Sequence, residues 1–450
     1  MKSSKILFSI MMITALILGA CVPAQEPVVP EPVEPEPVDE TEDPTAVVEE
    51  PGEITDSSGD VAYIVDPQAD PEGVKQLAHS NNGFALALYQ ALRDEDGNLI
   101  YSPFSIFQAL LMTGAGAEGE TASQMASVLG VDVNDPAIHN LMNALNKALT
   151  TQPGYLDEAA QPLTFNIANA VWAQKDFHFE QAFLDTLSAN YNAGLKLVDF
   201  NKPEDARALI NLWVAAQTND KIKDLIPQGV LDQMTRMVLT NAIYFKGGWS
   251  NRFDEKNTND GNFTLADGSS KTVPFMHGNF TISALVSEKI HAISLPYEGG
   301  TYAMAAIMPL VDFAGFESGL TTADLEQMLT LLQSSRAMVD LNMPKFQAES
   351  SFALGEKLAA LGMPDAFDAQ KADFSGMTGK PDLMISSVIH QATIDVNEEG
   401  TEAAAATAVS MSMTSMPAES YSIRLDKPFI YVIYETTTNT IVFMGRVVNP

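Results

Sequence analysis

A single cysteine in 450 residues, Cys21, rules out any intramolecular disulfide, so the fold must be held by packing alone. The chain has the material for that. Hydrophobic residues make up 46% and charged residues 18%, the balance of a globular protein with a large core. Lys2 and Lys5 make a short basic start, and Ile6 to Ala20 is an apolar run of 15 residues. Such a run is too short for a comfortable membrane span and suits a signal-peptide core.

The run ends in Leu18-Gly19-Ala20-Cys21, which resembles the bacterial lipoprotein signal. The resemblance implies that residues 1–20 are removed and that Cys21 is diacylated as the new N-terminus. The alternative is an ordinary signal peptide cleaved nearby. Three acyl chains would anchor the protein stably, where one binds only marginally. The expected location is extracytoplasmic, lipid-anchored to the bacterial cell envelope.

Residues 22–60 contain eight prolines, thirteen acids and no Lys or Arg. A segment like this cannot bury a core and reads as an extended, self-repelling spacer, up to roughly 100 Å long at ~3 Å per residue. We therefore expect a linker over 21–73 and one folded domain over 74–450. The spacer carries 13 of the 33 net negative charges. The acidic balance, with a pI near 4.3, repels nucleic-acid phosphates and offers no stripe for heparin-like polyanions.

Within the domain no internal repeat recurs. Gly83 to Leu92, Ser105 to Gly116 and Ala206 to Lys223 read as helices, the last with Trp213 on its apolar side. Met237 to Phe245 and Tyr302 to Met308 read as strands. Pro428 to Tyr434, Glu435 to Asn439 and Thr440 to Val448 read as strand, turn and strand. Helices early and strands late favour an α+β domain of about 375 residues. No nucleophile elbow, His-Glu-x-x-His motif, phosphate loop or cysteine pair suggests an enzyme, and nothing calls for a metal or a cofactor.

Several blocks, in order, resemble the serpin family. They are Asn98 to Ile106 with Gly114 to Ala117, Leu239 to Trp249, Leu341 to Phe346, Leu361 to Phe367, Ala372 to Gly376, Asp426 to Phe429 and Phe443 to Pro450. The resemblance covers residues 74–450. It implies three β-sheets, eight or nine helices and an exposed reactive-centre loop from about Gly400 to Pro417. It also implies a suicide trap: a serine protease cuts the loop, forms an acyl-enzyme, and is dragged along as the cut loop enters sheet A. Ser102, Ser105, Asn241 and His390 fall in the blocks that form the family's shutter, where that sheet opens. For His390 the alternatives are a catalytic or merely satisfied histidine. Trp249 matches the tryptophan at the breach, where insertion begins.

The loop has its own pattern. With period two, one face carries Thr401, Ala403, Ala405, Thr407, Val409, Met411 and Met413; the other carries Glu402 and then small or polar residues to Thr414. That is the alternation of a half-buried strand. A surface helix or a flexible loop is the alternative. Gly400 reads as the hinge, and Glu398 and Glu399 as keeping the loop base solvated. The resemblance implies a reactive bond about fourteen residues beyond the hinge, at Thr414-Ser415. Met413-Thr414 and then Met411-Ser412 are the alternatives. No Lys or Arg lies between Gly400 and Pro417. That disfavours trypsin-like targets and suits elastase-, subtilisin- or chymotrypsin-like pockets. The expectation is a monomeric inhibitor forming a covalent complex with a serine protease. A non-inhibitory serpin acting as a binding module is the alternative.

Overall fold

Two strands buried on both faces organise the molecule. In Met237 to Gly248, Leu239, Ile243 and Phe245 enter one apolar cluster while Val238 and Ala242 enter another on the opposite face. In the neighbouring strand, Val171 and Ala173 point to the first cluster, and Ala168, Ala170 and Trp172 to the second. A strand packed on both sides reads as a continuous apolar run, which is why Met237 to Phe245 is legible as a strand.

The computed structural model describes residues 53–151, 164–401 and 419–450. In chain order these begin with β1 (Thr55–Ser57), α1 (Pro71–Leu92), β2 (Leu99–Tyr101), α2 (Pro103–Gly114), α3 (Gly119–Leu129), α4 (Pro136–Thr150), β3 (Thr164–Gln174) and α5 (Gln181–Tyr191). There follow β4 (Leu195–Val198), α6 (Pro203–Gln217), β5 (Met237–Gly248), β6 (Asn259–Thr264), β7 (Ser270–Val286), β8 (Ile290–Pro296), β9 (Tyr302–Pro309), α7 (Phe313–Gly319) and α8 (Thr322–Ser334). The rest are β10 (Arg336–Pro344), β11 (Phe346–Ala353), α9 (Gly355–Leu361), α10 (Ser375–Thr378), β12 (Ser387–Val396), β13 (Gly400–Thr401), β14 (Ser420–Arg424), β15 (Phe429–Glu435) and β16 (Ile441–Val447).

Seven strands form sheet A, in the order β1-β4-β3-β5-β13-β12-β11. The other nine form one continuous ladder, β14-β10-β7-β8-β9-β15-β16-β2, with β6 on β7. The fold is α+β, as expected. Two of the three expected sheets are joined here because β7 is 17 residues long and runs through both. Ten α-helical segments occur among the described residues, against eight or nine expected. The short ones, α7, α9 and α10, have seven, seven and four residues, too few to show an apolar period. Helix α6 covers one face of sheet A through Ala206, Ile210 and Val214, and α2 is buried along its whole length on the other.

Element boundaries moved for local reasons. Helix α1 starts twelve residues before Gly83, where Asp70 caps it by accepting from the backbone of Glu72 and Gly73. Helix α2 starts at Pro103, two residues before the expected Ser105, capped by Ser102. Helix α6 stops at Gln217, short of Lys223, because Asn219 and Asp220 adopt left-handed φ values of 51° and 60°.

The largest departure concerns the linker. Its expected span reached residue 73, yet residues 55–70 lie along the domain. β1 pairs antiparallel with β4 at the edge of sheet A. Beyond it, Gly59 donates to Ser188 Oγ at 2.8 Å and Ile64 to the carbonyl of Ala189 at 2.9 Å, both on α5. On α4, Asn143 accepts from the Tyr63 hydroxyl at 2.8 Å and donates to the carbonyl of Ile64 at 2.9 Å, while Lys147 pairs with Asp66 at 2.7 Å. This strap is held by backbone and amide hydrogen bonds rather than apolar burial, so its composition still reads as spacer. The signal segment and Cys21 lie outside the described residues.

Asn143→Ala removes both strap contacts of that side chain. A loss of about 1–3 kcal/mol in unfolding free energy is expected, with faster proteolytic nicking between residues 53 and 70, measured by denaturant titration and limited proteolysis.

Candidate functional site

Sheet A has a seam. Parallel β5 and β12 pair directly over seven residue pairs, from Ser387↔Val238 to Thr393↔Tyr244. Above that stretch they part, and β13 lies between them: Gly400 pairs with Gly248, and Thr401 with Gly247 on one side and Val396 on the other. Gly400 and Thr401, expected at the start of the exposed loop, are strand residues here. Both hinge residues are buried. Gly400 has φ of 156°, and a Cβ there would meet the carbonyl oxygen of Gly247 at 2.1 Å, so only glycine fits.

The hinge is pinned from several directions. The Thr401 hydroxyl bonds the Tyr297 hydroxyl at 2.8 Å. Tyr297 stacks on Trp249 with centroids 4.6 Å apart, and Trp249 Nε1 donates to the carbonyl of Asn397 at 2.9 Å. The backbone of Trp249 donates to the carbonyl of Glu399 and that of Phe253 to the carbonyl of Glu398. Glu398 is 4% exposed, with its carboxylate on Lys345 Nζ at 2.8 Å and on the Thr258 hydroxyl at 2.7 Å. Burial pushes its carboxyl up, but the hydrogen bonds from Lys345 and Thr258 hold it below the usual range. Arg252, the residue before Phe253, pairs with Glu298 at 2.7 Å. The reading of Glu398 and Glu399 as solvating groups is thus corrected: Glu398 is buried and paired, and Glu399 is half-buried.

Below the hinge a row of polar side chains crosses the seam. Asn169, Asn241 and His390 are opposite one another on β3, β5 and β12. His390 Nδ1 donates to Asn241 Oδ1, and His390 Nε2 accepts from the backbone of Ser102 at 3.1 Å. Those two bonds require the neutral imidazole with its proton on Nδ1. Asn241 Nδ2 donates to Asn169 Oδ1 at 2.7 Å, and the Ser105 hydroxyl donates to the same oxygen at 2.6 Å. The Ser102 hydroxyl caps α2 and donates to the carbonyl of Val442. Full burial pushes the imidazole of His390 down to about 3.

A family model described as "Serpin (serine protease inhibitor)" matches residues 79–450. This chain belongs to the serpin family. Leukocyte elastase inhibitor A of Mus musculus is 37% identical over 391 residues, covering 84% of this chain and all of that protein. Antithrombin-III of Mus musculus is 34% identical, covering 90% of this chain and 88% of that protein. The crystal structure of a thermophilic serpin, tengpin, in its native state matches with a TM-score of 0.74 at 27% identity, covering 87% of this chain and 98% of that one.

Ser102, Ser105, Asn241 and His390 come together in one network, and Trp249, Glu399, Gly400 and Thr401 come together at the hinge. Ala403, Ala405, Thr407, Met413, Thr414 and Ser415 lie outside the described residues. Asn169 and Tyr297 were missed in the sequence. Asn169 carried a signal, since a lone amide inside Ile167 to Trp172 has no reason to be in a strand buried on both faces.

His390 makes the uncut form acid-sensitive. Its folded pKa lies below the unfolded value of 6.5, so the unfolded chain binds the extra proton and stability falls as pH drops from about 6.5 toward 3. The slope is about 1.4 kcal/mol per pH unit for one such group. Buried His139, pushed down to about 4, adds a second. Denaturant titrations between pH 7 and pH 4.5 are expected to show a flatter slope, by about one proton, for His390→Gln than for wild type.

Proposed function

We propose that this serpin is a suicide-substrate inhibitor of elastase-, subtilisin- or chymotrypsin-like serine proteases, and that it traps them by inserting the cut loop at the seam between β5 and β12. One observation carries the reading: Gly400 is already paired with β5, and Thr401 with both β5 and β12, in registers that agree. Continuing the pairing of Gly400 with Gly248 and of Thr401 with Val396 brings Thr407 opposite Asn241 on β5 and opposite His390 on β12. Asn241 and His390 are also each other's partners now. The entering strand would therefore meet the polar row at a single level, and Thr407 would separate the two side chains that close it.

The chemistry follows from this geometry. The protease serine hydroxyl attacks the carbonyl of Thr414, or of Met413 if the bond is one residue earlier. The peptide C–N bond breaks, an ester forms, and the amine of the next residue leaves with a proton. Loop residues after Thr401 are then free to zip down the seam. One parallel ladder is exchanged for two antiparallel ones, a net gain of about a dozen hydrogen bonds at roughly 0.5–1.5 kcal/mol each. Thr401, Ala403, Ala405 and Thr407 would face α2, the side to which Thr401 already points. The uncut form is then a kinetically held state. An anchor at Cys21 and a location on the bacterial cell envelope belong to the same reading, supported by the sequence around that residue.

Three measurements test it. Mixed with pancreatic elastase or subtilisin, the protein is expected to give a covalent complex that survives a denaturing gel; loop cleavage with full protease activity retained would sink the proposal. Thr407→Arg puts an unpaired charge on the buried face and is expected to turn the inhibitor into a substrate, because the cost is several kcal/mol. Loop-cleaved protein should unfold on the order of 10 °C or more above the uncut form, read by calorimetry.

A further inference from the structure

The register of β1 fixes where the N-terminal stalk leaves the domain. Thr55 is opposite Leu197, Leu197 is beside Ala173, and Ala173 is opposite Met237. Thr55 is therefore level with the first residue of β5, while the hinge glycine is level with the last, Gly248. These ends are about 36 Å apart at ~3.3 Å per residue. β1 runs antiparallel to β4, so the chain before Thr55 comes from the Met237 end. The bait loop and the stalk thus leave sheet A at opposite poles.

Insertion moves one of these onto the other. In the register described above, each loop residue descends one residue of β5, so Met411 reaches the level of Met237. Thr414, carrying the esterified protease, then comes about three residues or ~10 Å further. It would lie only four strand spacings, ~19 Å, from the line of β1.

We propose that the stretch between Cys21 and Glu53 supplies the clearance that a protease, carried by the trap to the pole from which the stalk leaves, needs above an anchoring surface. This rests on the trap and anchor readings of the preceding subsection. A protease of ~230 residues is about 45 Å across. The 32 residue steps from Cys21 to Glu53 span at most ~115 Å. A neutral flexible chain of that length averages only about 31 Å, less than one protease diameter. Ten acids and eight prolines between residues 22 and 52, with no Lys or Arg, favour the long end of that range. Without the stretch, the site of arrival would face the surface directly, while the bait loop at the far pole would stay accessible.

The test uses an anchor that does not depend on lipidation. The chain from Cys21 to Pro450 is coupled through its only cysteine to maleimide-lipid in neutral vesicles and mixed with pancreatic elastase or subtilisin. A variant lacking residues 26–50, and one with those residues replaced by a Gly/Ser/Glu spacer of equal length, are treated alike, on vesicles and free in solution. The readout is the partition between covalent complex and cleaved inhibitor. On vesicles the deletion is expected to raise the cleaved fraction relative to complex at least 5-fold, with an unchanged rate of loop cleavage. In solution the same deletion should leave the partition unchanged, and the replacement spacer should restore trapping on vesicles. Equal partition for the deleted chain on vesicles and in solution overturns the inference, as does failure of the replacement to rescue. Absence of a covalent complex from every form in solution overturns the trap itself, and this inference with it.

Discussion

The closure of sheet A between β5 and β12 is the constraint on which the rest depends. Two central strands of a buried sheet are paired in parallel for seven residues, with a foreign end, Gly400-Thr401, already wedged above them. Parallel pairing is slightly the weaker kind, and the polar row of Asn169, Asn241 and His390 spans the sheet just where apolar packing would otherwise be continuous. Fully satisfied, that row is rigid and specific. Its members need new partners as soon as the strands part, so it works as a latch rather than as mortar.

The hinge obeys the same logic at the top of the sheet. Tyr297 and Trp249 hold it by stacking and single hydrogen bonds, and Glu398 by a buried ion pair with Lys345. Removing Lys345 would leave a buried carboxylate unpaired, which costs more than the pair contributes when intact.

Much of this was legible in the chain. Strands buried on both faces left continuous apolar runs, and the resemblance located Ser102, Ser105, Asn241, His390 and Trp249 in blocks that meet in space. Asn169 and Tyr297 could not be paired with them, because their partners Asn241 and Trp249 lie 72 and 48 residues away in the chain and leave no local trace. Glu398 was misread because charge suggests solvent, and its partner Lys345 arrives from the junction between β10 and β11, far away in the chain. The strap was misread for the opposite reason. Its composition is that of a spacer, and much of its attachment uses backbone groups that every sequence possesses.

β1 has one more effect. Without it, β4 would offer a bare row of donors and acceptors along the outer margin of sheet A. Such a margin is where strands of neighbouring copies join. Three residues, Thr55, Asp56 and Ser57, occupy it, and Asp56 is tied down by Lys196 at 2.7 Å. A three-residue cap is a poor template in its turn, so it leaves that side of the sheet with little for a second molecule to extend.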